Sequence, residues 1–420
     1  MYLSKAISSL IPFVALAAAS PISERAAWPY APFTTTGRWI IDAAGNNITY
    51  AGVNWPGASE TMIPEGLQYS SIEDVVTKIK SIGMNVIRLT FSIELIDDYY
   101  SKGGDTTVYD SFINALGQEN GTIIFDQIVA NNPSITTSTT RLEVFDAIAA
   151  ECAKQEIYVN LDNHISKAMW CCNTEDGNSW FGDTYFDVPN WLRGLKFMAS
   201  RGAAWGNLVS MSFRNELRSP DSNSTLVDTS YNWSDWYKYV VQAMDTINAA
   251  NPDVLILISG LNFDTTLAPI PTAGDLGNGQ VFHKDDFSYA DKLVLELHNY
   301  QTTATDCASV KSGLYNNGYK ALDTENSNVT NVFPVVMTEW GHSQDDTTYA
   351  SVYQTCLSEF LTDLKAGWMV WVIAGSYYIR TGTQDFEESW GLLNHNWTAW
   401  RNPAAIESVI VPMIEGTKTF

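Results

Sequence analysis

Short apolar runs recur along the chain, separated by longer stretches in which apolar residues return every three or four positions. Eight runs read as strands: "ITYAGVNW" (48–55), "NVIRLTFS" (85–92), "IYVNLDNH" (157–164), "LVSMSFRNE" (208–216), "VLILISG" (254–260), "LVLELHNY" (293–300), "PVVMTEWG" (334–341) and "WMVWVIAG" (368–375). Most are continuous rather than alternating, as strands buried on both faces must be. Helix periodicity runs through 71–83, 138–155, 188–202, 231–250 and 347–367. Several of these segments open on Ser, Asp or Thr and stop at Gly, the residues suited to helix starts and ends. Strand then helix, repeated eight times, predicts an α/β fold of the (β/α)8 TIM-barrel type, a single domain with long loops over one face. The segment "GRWIIDAAGNNITY" predicts a hairpin turning at 44–47 that closes the barrel floor. Residues 97–138, rich in Gly, Asn, Asp and Thr, read as one long loop, and 261–292 contain no clear long helix. No Pro/Ser/Thr linker leads to a second module, so one barrel domain is expected over 28–420.

Composition narrows the setting. The chain has 420 residues, 45% of them hydrophobic and 12% aromatic, which is globular rather than disordered. A formal charge of −23 argues against nucleic acid and anionic membranes, which bind basic patches. Lys5, the apolar stretch "AISSLIPFVALAAA" and the small residues around Ala19-Ser20 predict a secretory signal peptide over 1–20, and hence an extracellular protein. No later segment has the roughly 18 uninterrupted apolar residues that a membrane helix needs. Sequons at Asn47, Asn120, Asn223, Asn232, Asn328 and Asn396 are candidate glycan sites, expected on surface loops. Five cysteines leave at least one without an intramolecular partner. Cys307 and Cys356 are one candidate pair. The adjacent Cys171 and Cys172 either bond to one another or each seek another partner, and Cys152 reads as a small buried hydrophobe.

The polar residues of the strands come late in each run: Asn54-Trp55, Arg88, Asp162-Asn163-His164, Asn215-Glu216, His298 and Tyr300, Glu339, Trp371. In a parallel barrel the C-terminal strand ends meet on one face, where barrel enzymes carry their chemistry. Glu216 and Glu339 belong to the fourth and seventh strands, roughly opposite across the mouth. Two carboxylates flanking a bond are what glycoside hydrolysis requires, one protonated to donate and one ionised to attack. Arg88 and Tyr300 are within reach of an ionised partner. If that partner is Glu339, it is the nucleophile and Glu216 the acid/base. Arg214 reads as structural, paired with a neighbouring acid.

This ordered set resembles glycoside hydrolase family 5, a cellulase-like family in the retaining clan A of (β/α)8 hydrolases, from about Arg38 to the end of the eighth strand. The resemblance implies that Glu216 in "RNE" is the acid/base and Glu339 in "VVMTEWG" the nucleophile. It implies support or substrate contact by Arg88, His164, Asn215, His298, Tyr300 and Trp371, Trp371 forming the floor where the bond breaks. Asn215 would bind the sugar 2-hydroxyl, and His164 and Asn299 would position the sugar. Retention asks for carboxyl groups about 5–5.5 Å apart. The expected activity is an endo-β-1,4-glucanase acting on β-glucan chains. Alternatives are an exo-acting β-glycosidase, a glycoconjugate hydrolase, or a non-catalytic carbohydrate-binding relative. Trp55, Trp170, Trp180, Trp340 and Trp390 are candidate sugar platforms among fifteen tryptophans. No metal or organic cofactor is required, and a monomer acting on an oligo- or polysaccharide is expected. A metal-dependent amide hydrolase using His164, His298, His342 and Asp162 is the rival on the same barrel, but its first strand would need a His-x-His pair that "YAGVNW" lacks. One departure stands out: where many family members have Pro after the Asn-Glu pair, this chain has Leu217.

Overall fold

Three short strands precede the barrel: β1 (Thr34–Thr36), β2 (Trp39–Ile41) and β3 (Asn47–Ile48). The barrel itself is β4 (Ala51–Trp55), β5 (Val86–Ser92), β6 (Tyr158–Ile165), β7 (Leu208–Ser212), β8 (Leu255–Ile258), β9 (Leu293–Asn299), β10 (Val335–Trp340) and β11 (Gly367–Val370). Each strand pairs in parallel with its neighbour in the chain, and β11 pairs with β4, so the ring closes without an edge. Every residue of these eight strands is buried, the reason their sequences are continuous rather than alternating. This computed structural model describes residues 28–418. The expected signal peptide over 1–20 lies outside the described residues.

The helices follow the predicted spacing where it was strong. They are α1 (Ile72–Ser81), α2 (Ile93–Lys102), α3 (Val108–Leu116), α4 (Gln118–Asn131), α5 (Arg141–Lys154), α6 (Val188–Gly202), α7 (Ser224–Thr229), α8 (Trp233–Ala250), α9 (Cys307–Asn317) and α10 (Val352–Leu364), followed by a C-terminal helical run over 403–417. Thr140 and Glu143 form a reciprocal capping box at α5, each side chain accepting the other's backbone N–H. The expected loop over 97–138 is instead the end of α2 followed by α3 and α4. Val108, Phe112 and Leu116 form a one-face stripe that buries against the core, and Gly117 at φ 81° breaks the chain between two helices. Polar composition had masked that period. Between β8 and β9 only single-turn 3-10 segments occur, at Lys284–Asp286 and Ala290–Lys292, in keeping with the absence of a long helix there.

The floor hairpin turns between Ile41 and Asn47, where the Asp42 carboxylate accepts the Ala44 and Asn46 N–H groups at 2.8 Å each. It carries Phe33 and Ile40 against a small internal cluster that includes Tyr50, Val86, Leu255, Val294 and Met369, sealing the N-terminal end. The larger core lies between the barrel wall and the helices. After β11 the chain forms a second hairpin, β12 (Ser376–Arg380) and β13 (Thr383–Glu387), which leans over the barrel mouth.

Cys307 and Cys356 are bonded, tying α9 to α10; Cys171 and Cys172 are bonded to one another; Cys152 is free and buried. Asn120, Asn232, Asn328 and Asn396 are exposed, while Asn47 and Asn223 are half-buried. Asn47 and Asn120 depart from the loop expectation, since Asn47 opens β3 and Asn120 sits within α4. Among the described residues, no helix is long and apolar enough to cross a membrane.

Candidate active site

Arg88 is the hub. It points into the barrel from the third residue of β5, not from that strand's end, and is wholly buried. Its guanidinium donates to Glu339 Oε1 at 2.5 Å, to Asn54 Oδ1 at 2.9 Å and to Asn215 Oδ1 at 2.9 Å, and pairs with Asp162 at 2.9 Å. One cation therefore orders residues from β4, β6, β10 and the segment after β7. Burial acts to lower the Arg88 pKa, but Asp162, Glu339 and Glu296 outweigh it and hold the group charged. Burial acts to raise the Asp162 pKa, but Arg88 and the His164 hydrogen bond bring it below the usual range.

The two carboxylates meet different surroundings. Glu339, the penultimate residue of β10, accepts from Arg88 on one oxygen and from the Tyr300 hydroxyl on the other, at 2.8 Å. Burial and the adjacent Glu339 charge push the Tyr300 hydroxyl well above its ordinary pKa, so it stays a donor. Glu216 faces the Nδ1 atom of His298 at 3.0 Å, and the other ring nitrogen of His298 lies 3.1 Å from Thr338 Oγ1. Burial lowers the His298 pKa to about 4 and raises that of Glu216 to about 7. An oxygen of Glu216, one of Glu339 and a nitrogen of His298 lie within 4.8 Å of one another.

Glu216 also carries backbone strain. Its φ of 49° is left-handed, a conformation costing a non-glycine residue on the order of 1–3 kcal/mol. The Asp264 carboxylate accepts its N–H at 2.8 Å and holds it there. Asp264 itself ends three successive left-handed residues, Asn262, Phe263 and Asp264, after β8. Burial and the nearby Glu296 push its carboxyl well above the ordinary range. Sequence periodicity carries no sign of this turn.

His164 stacks on Trp371, with ring centroids 5.3 Å apart and planes 9° off parallel, and its Nδ1 lies 2.7 Å from Asp162. With Asn215, Trp371, Glu216 and Glu339 it lines a cavity of about 260 Å³. A second cavity of about 740 Å³ shares Glu216 and Tyr300 and runs past Asn262, Phe263, Asn299 and Gln301. Asn299 thus sits beside the second cavity, away from His164.

Three of the candidate platforms are corrected. Trp55, Trp180 and Trp340 are fully buried. Trp55 donates to the Glu65 carbonyl, Trp180 packs on Phe181 and Tyr231, and Trp340 packs edge-on against Trp368. Their faces are spent on the core. Trp170 and Trp390 do line the first cavity, but one face of Trp170 is covered by the Arg380 guanidinium, 3.4 Å from the ring centroid. Arg214 is also corrected. Its guanidinium donates to the Asn178 carbonyl at 2.6 Å, Ser166 Oγ at 3.0 Å and Asn163 Oδ1 at 3.4 Å, and lies 4.0 Å from the Phe186 ring centroid rather than on an acid. The neighbouring Arg218 has the acid, Asp176 at 2.6 Å, and donates to the Glu216 carbonyl. Leu217 is buried in the core.

Sequence reasoning missed Arg380 and Glu388, which pair at 2.8 Å on the cavity wall. The signal was available: "SYYIR" and "TQDFE" flank Thr381-Gly382, which adopt φ of 49° and 81° as a tight hairpin turn requires.

Among the described residues, two clusters have the spacing of a cation site: Glu216, His298 and Glu339, and Cys171, Cys172 and Glu216. In the first, both His298 nitrogens are engaged by Glu216 and Thr338, and Arg88 already neutralises Glu339. In the second, the sulfurs are bonded to each other and offer no thiolate.

Residues 41–376 match the family model described as Cellulase (glycosyl hydrolase family 5). The chain is 33% identical over 388 residues to a glycosyl hydrolase 5 family protein of Chamaecyparis obtusa, covering 89% of this chain and 64% of that relative's length. It is 21% identical to an endoglucanase of Paenibacillus polymyxa, covering 94% and 91% of the two chains. In fold it is similar to an endocellulase of Pyrococcus horikoshii solved with cellotetraose, with a TM-score of 0.68, 17% identity and coverage of 93% and 99%. The catalytic domain of the major endoglucanase of Xanthomonas campestris is similar too, with a TM-score of 0.65, 16% identity and coverage of 91% and 99%.

Proposed function

The chain belongs to glycosyl hydrolase family 5, and from that premise we propose that it is a secreted, retaining β-glycoside hydrolase, an endo-β-1,4-glucanase acting on β-glucan chains. The observation that carries this reading is the unequal pair of carboxylates. Glu339, fixed by Arg88 and Tyr300 on separate oxygens, suits attack on the anomeric carbon. Glu216, raised to about 7 by burial, suits donation of a proton to the departing oxygen. Water activated by the deprotonated Glu216 then releases the sugar with its configuration kept. Oxygens within 4.8 Å fit the short spacing of double displacement better than the gap of roughly 6.5–9.5 Å that an inverting enzyme leaves for water.

The nucleophile lies beneath the sugar that is attacked, so the cavity with Glu339, Asn215 and Trp371 takes the glycone. The cavity that shares Glu216 but not Glu339 takes the leaving group. Space on both sides of the bond favours an oligomeric substrate cut internally. The leader-like residues 1–20 and the sequons support an extracellular glycoprotein, with the barrel over 28–420 as its catalytic domain.

The test compares wild type, Glu339→Gln and Glu216→Ala on a soluble β-glucan and on an aryl β-cellobioside with an activated leaving group. Glu339→Gln should lose both activities by about 10⁴-fold or more. Glu216→Ala should lose about 10²–10⁴-fold on the glucan but retain an initial burst on the activated substrate, which departs without an acid. Wild-type-like rates in Glu339→Gln would overturn the assignment. The first product anomer, read by NMR, must be β. Product profiles on cello-oligosaccharides, mannan and laminarin separate endo from exo action.

A further inference from the structure

We propose that the Cys171–Cys172 disulfide is a specificity-determining part of the glycone subsite, holding the Asn215 amide toward the 2-hydroxyl of the sugar that is attacked. The inference rests on the glycosidase reading above. Both half-cystines are only partly buried and line the same cavity as Glu216, Glu339 and Trp371. A sulfur from each lies with a Glu216 oxygen inside a 4.8 Å cluster, so the disulfide forms the wall beside the proton donor.

Asn215 shows why that wall matters. It is 1% exposed, and three of its polar groups have identified surroundings. Its backbone N–H donates to the Asn163 carbonyl at 2.9 Å, and its side-chain Oδ1 accepts from Arg88 at 2.9 Å. Because Arg88 can only donate, the oxygen end of the amide is fixed and the NH2 end must face the cleft. That NH2 group donates to the two sulfurs, at 3.7 Å from Cys171 Sγ and 3.5 Å from Cys172 Sγ. Sulfur is a weak acceptor, so the contact orients the amide without satisfying it. A sugar hydroxyl oxygen arriving there takes the hydrogen bond with little competition.

The covalent bond keeps this arrangement. Two unbonded thiols cannot stay at bonding distance, so one sulfur would have to move into the cavity or against Asn215. A thiolate in the same place would compete as an acceptor and add negative charge beside Glu216. The loop carrying the disulfide is braced for the role. Arg218 joins it to the Glu216 segment by donating to the Asn173 carbonyl at 2.9 Å, to Asp176 at 2.6 Å and to the Glu216 carbonyl at 2.8 Å. The acid/base, the amide and the sulfur wall therefore share one anchor.

The experiment measures kcat/KM for an aryl β-cellobioside and for its analogue lacking the 2-hydroxyl on the ring next to the aglycone. Wild type is compared with the double variant Cys171→Ala/Cys172→Ala, which leaves Cys307–Cys356 intact. The preference for the hydroxylated substrate should fall about tenfold, the worth of roughly one hydrogen bond. Asn215→Ala should reduce the preference similarly, and the triple variant should reduce it no further, because both changes remove one interaction. If the double variant does not fold, a Cys307→Ala/Cys356→Ala variant measured with and without a phosphine reductant supplies the ratio, because Cys171–Cys172 is then the disulfide left to reduce. An unchanged ratio, even with lower overall activity, means the disulfide only shapes the loop and overturns the inference alone. Failure of wild type to hydrolyse either substrate overturns the glycosidase reading and this inference with it.

Discussion

At the scale of single residues, Glu216 joins a strained backbone to a proton held unusually tightly. Its carboxyl is raised from 4.5 to about 7 by burial, so the folded state binds the proton more strongly than the unfolded chain. Stability attributed to this group is therefore undiminished below about pH 4.5 and is lost as pH rises toward 7. Glu216→Gln removes the buried charge, so the variant should melt above wild type at pH 8 and level with it at pH 4. Thermal unfolding at the two pH values checks this, and a variant less stable than wild type at pH 8 would contradict it. Activity runs the same way, with wild-type kcat/KM falling on a limb near pH 7 as the proposed acid ionises. Glu216, Glu339, Arg88, His164 and Tyr300 were legible in the sequence because each is a polar residue in or just after an apolar strand. Asp264 was not, because its role depends on a left-handed turn that leaves no periodic trace.

At the scale of elements, strand ends are set against one another with little tolerance. Gly341 follows β10, and a Cβ there would lie 2.3 Å from the Trp371 carbonyl oxygen just after β11. The Trp371 N–H already donates to the Trp340 carbonyl at 2.7 Å, so the two segments cannot easily part. Gly341→Ala should displace Trp371 and lower kcat/KM by roughly tenfold to a hundredfold, the scale of an ångström-level misplacement. Kinetics alongside a melting curve check it. Unaltered kinetics would mean the segment can yield without moving the ring. Elements with strong caps and clean periods were readable in advance, as α1, α5, α6 and α8 were. The helices α3 and α4 were hidden by polar residues between their few apolar contacts, and tertiary burial of Phe112, Phe125 and Ile128 decided the matter.

At the scale of the whole molecule, the two ends of the barrel divide the work. Phe33 and Ile40 seal the N-terminal end far along the strands from Glu216 and Glu339. Phe33→Ala should cost about 3–5 kcal/mol of stability and leave kcat near wild type below the melting range. Denaturant unfolding paired with initial rates tests this, and a large fall in kcat would show that the ends are coupled. The sequence by itself determined the strand order, the closed ring, the polar strand ends and the two candidate carboxylates. Those follow from local hydrophobic pattern and from residue chemistry, which a linear chain displays directly. Only the tertiary structure decided which tryptophans face solvent, which cysteines pair, that Arg88 binds residues from three strands and the segment after β7, and that the disulfide borders Asn215. Each of these depends on distances between segments far apart in the chain, where burial on one side or the other of a closed barrel has no local signature.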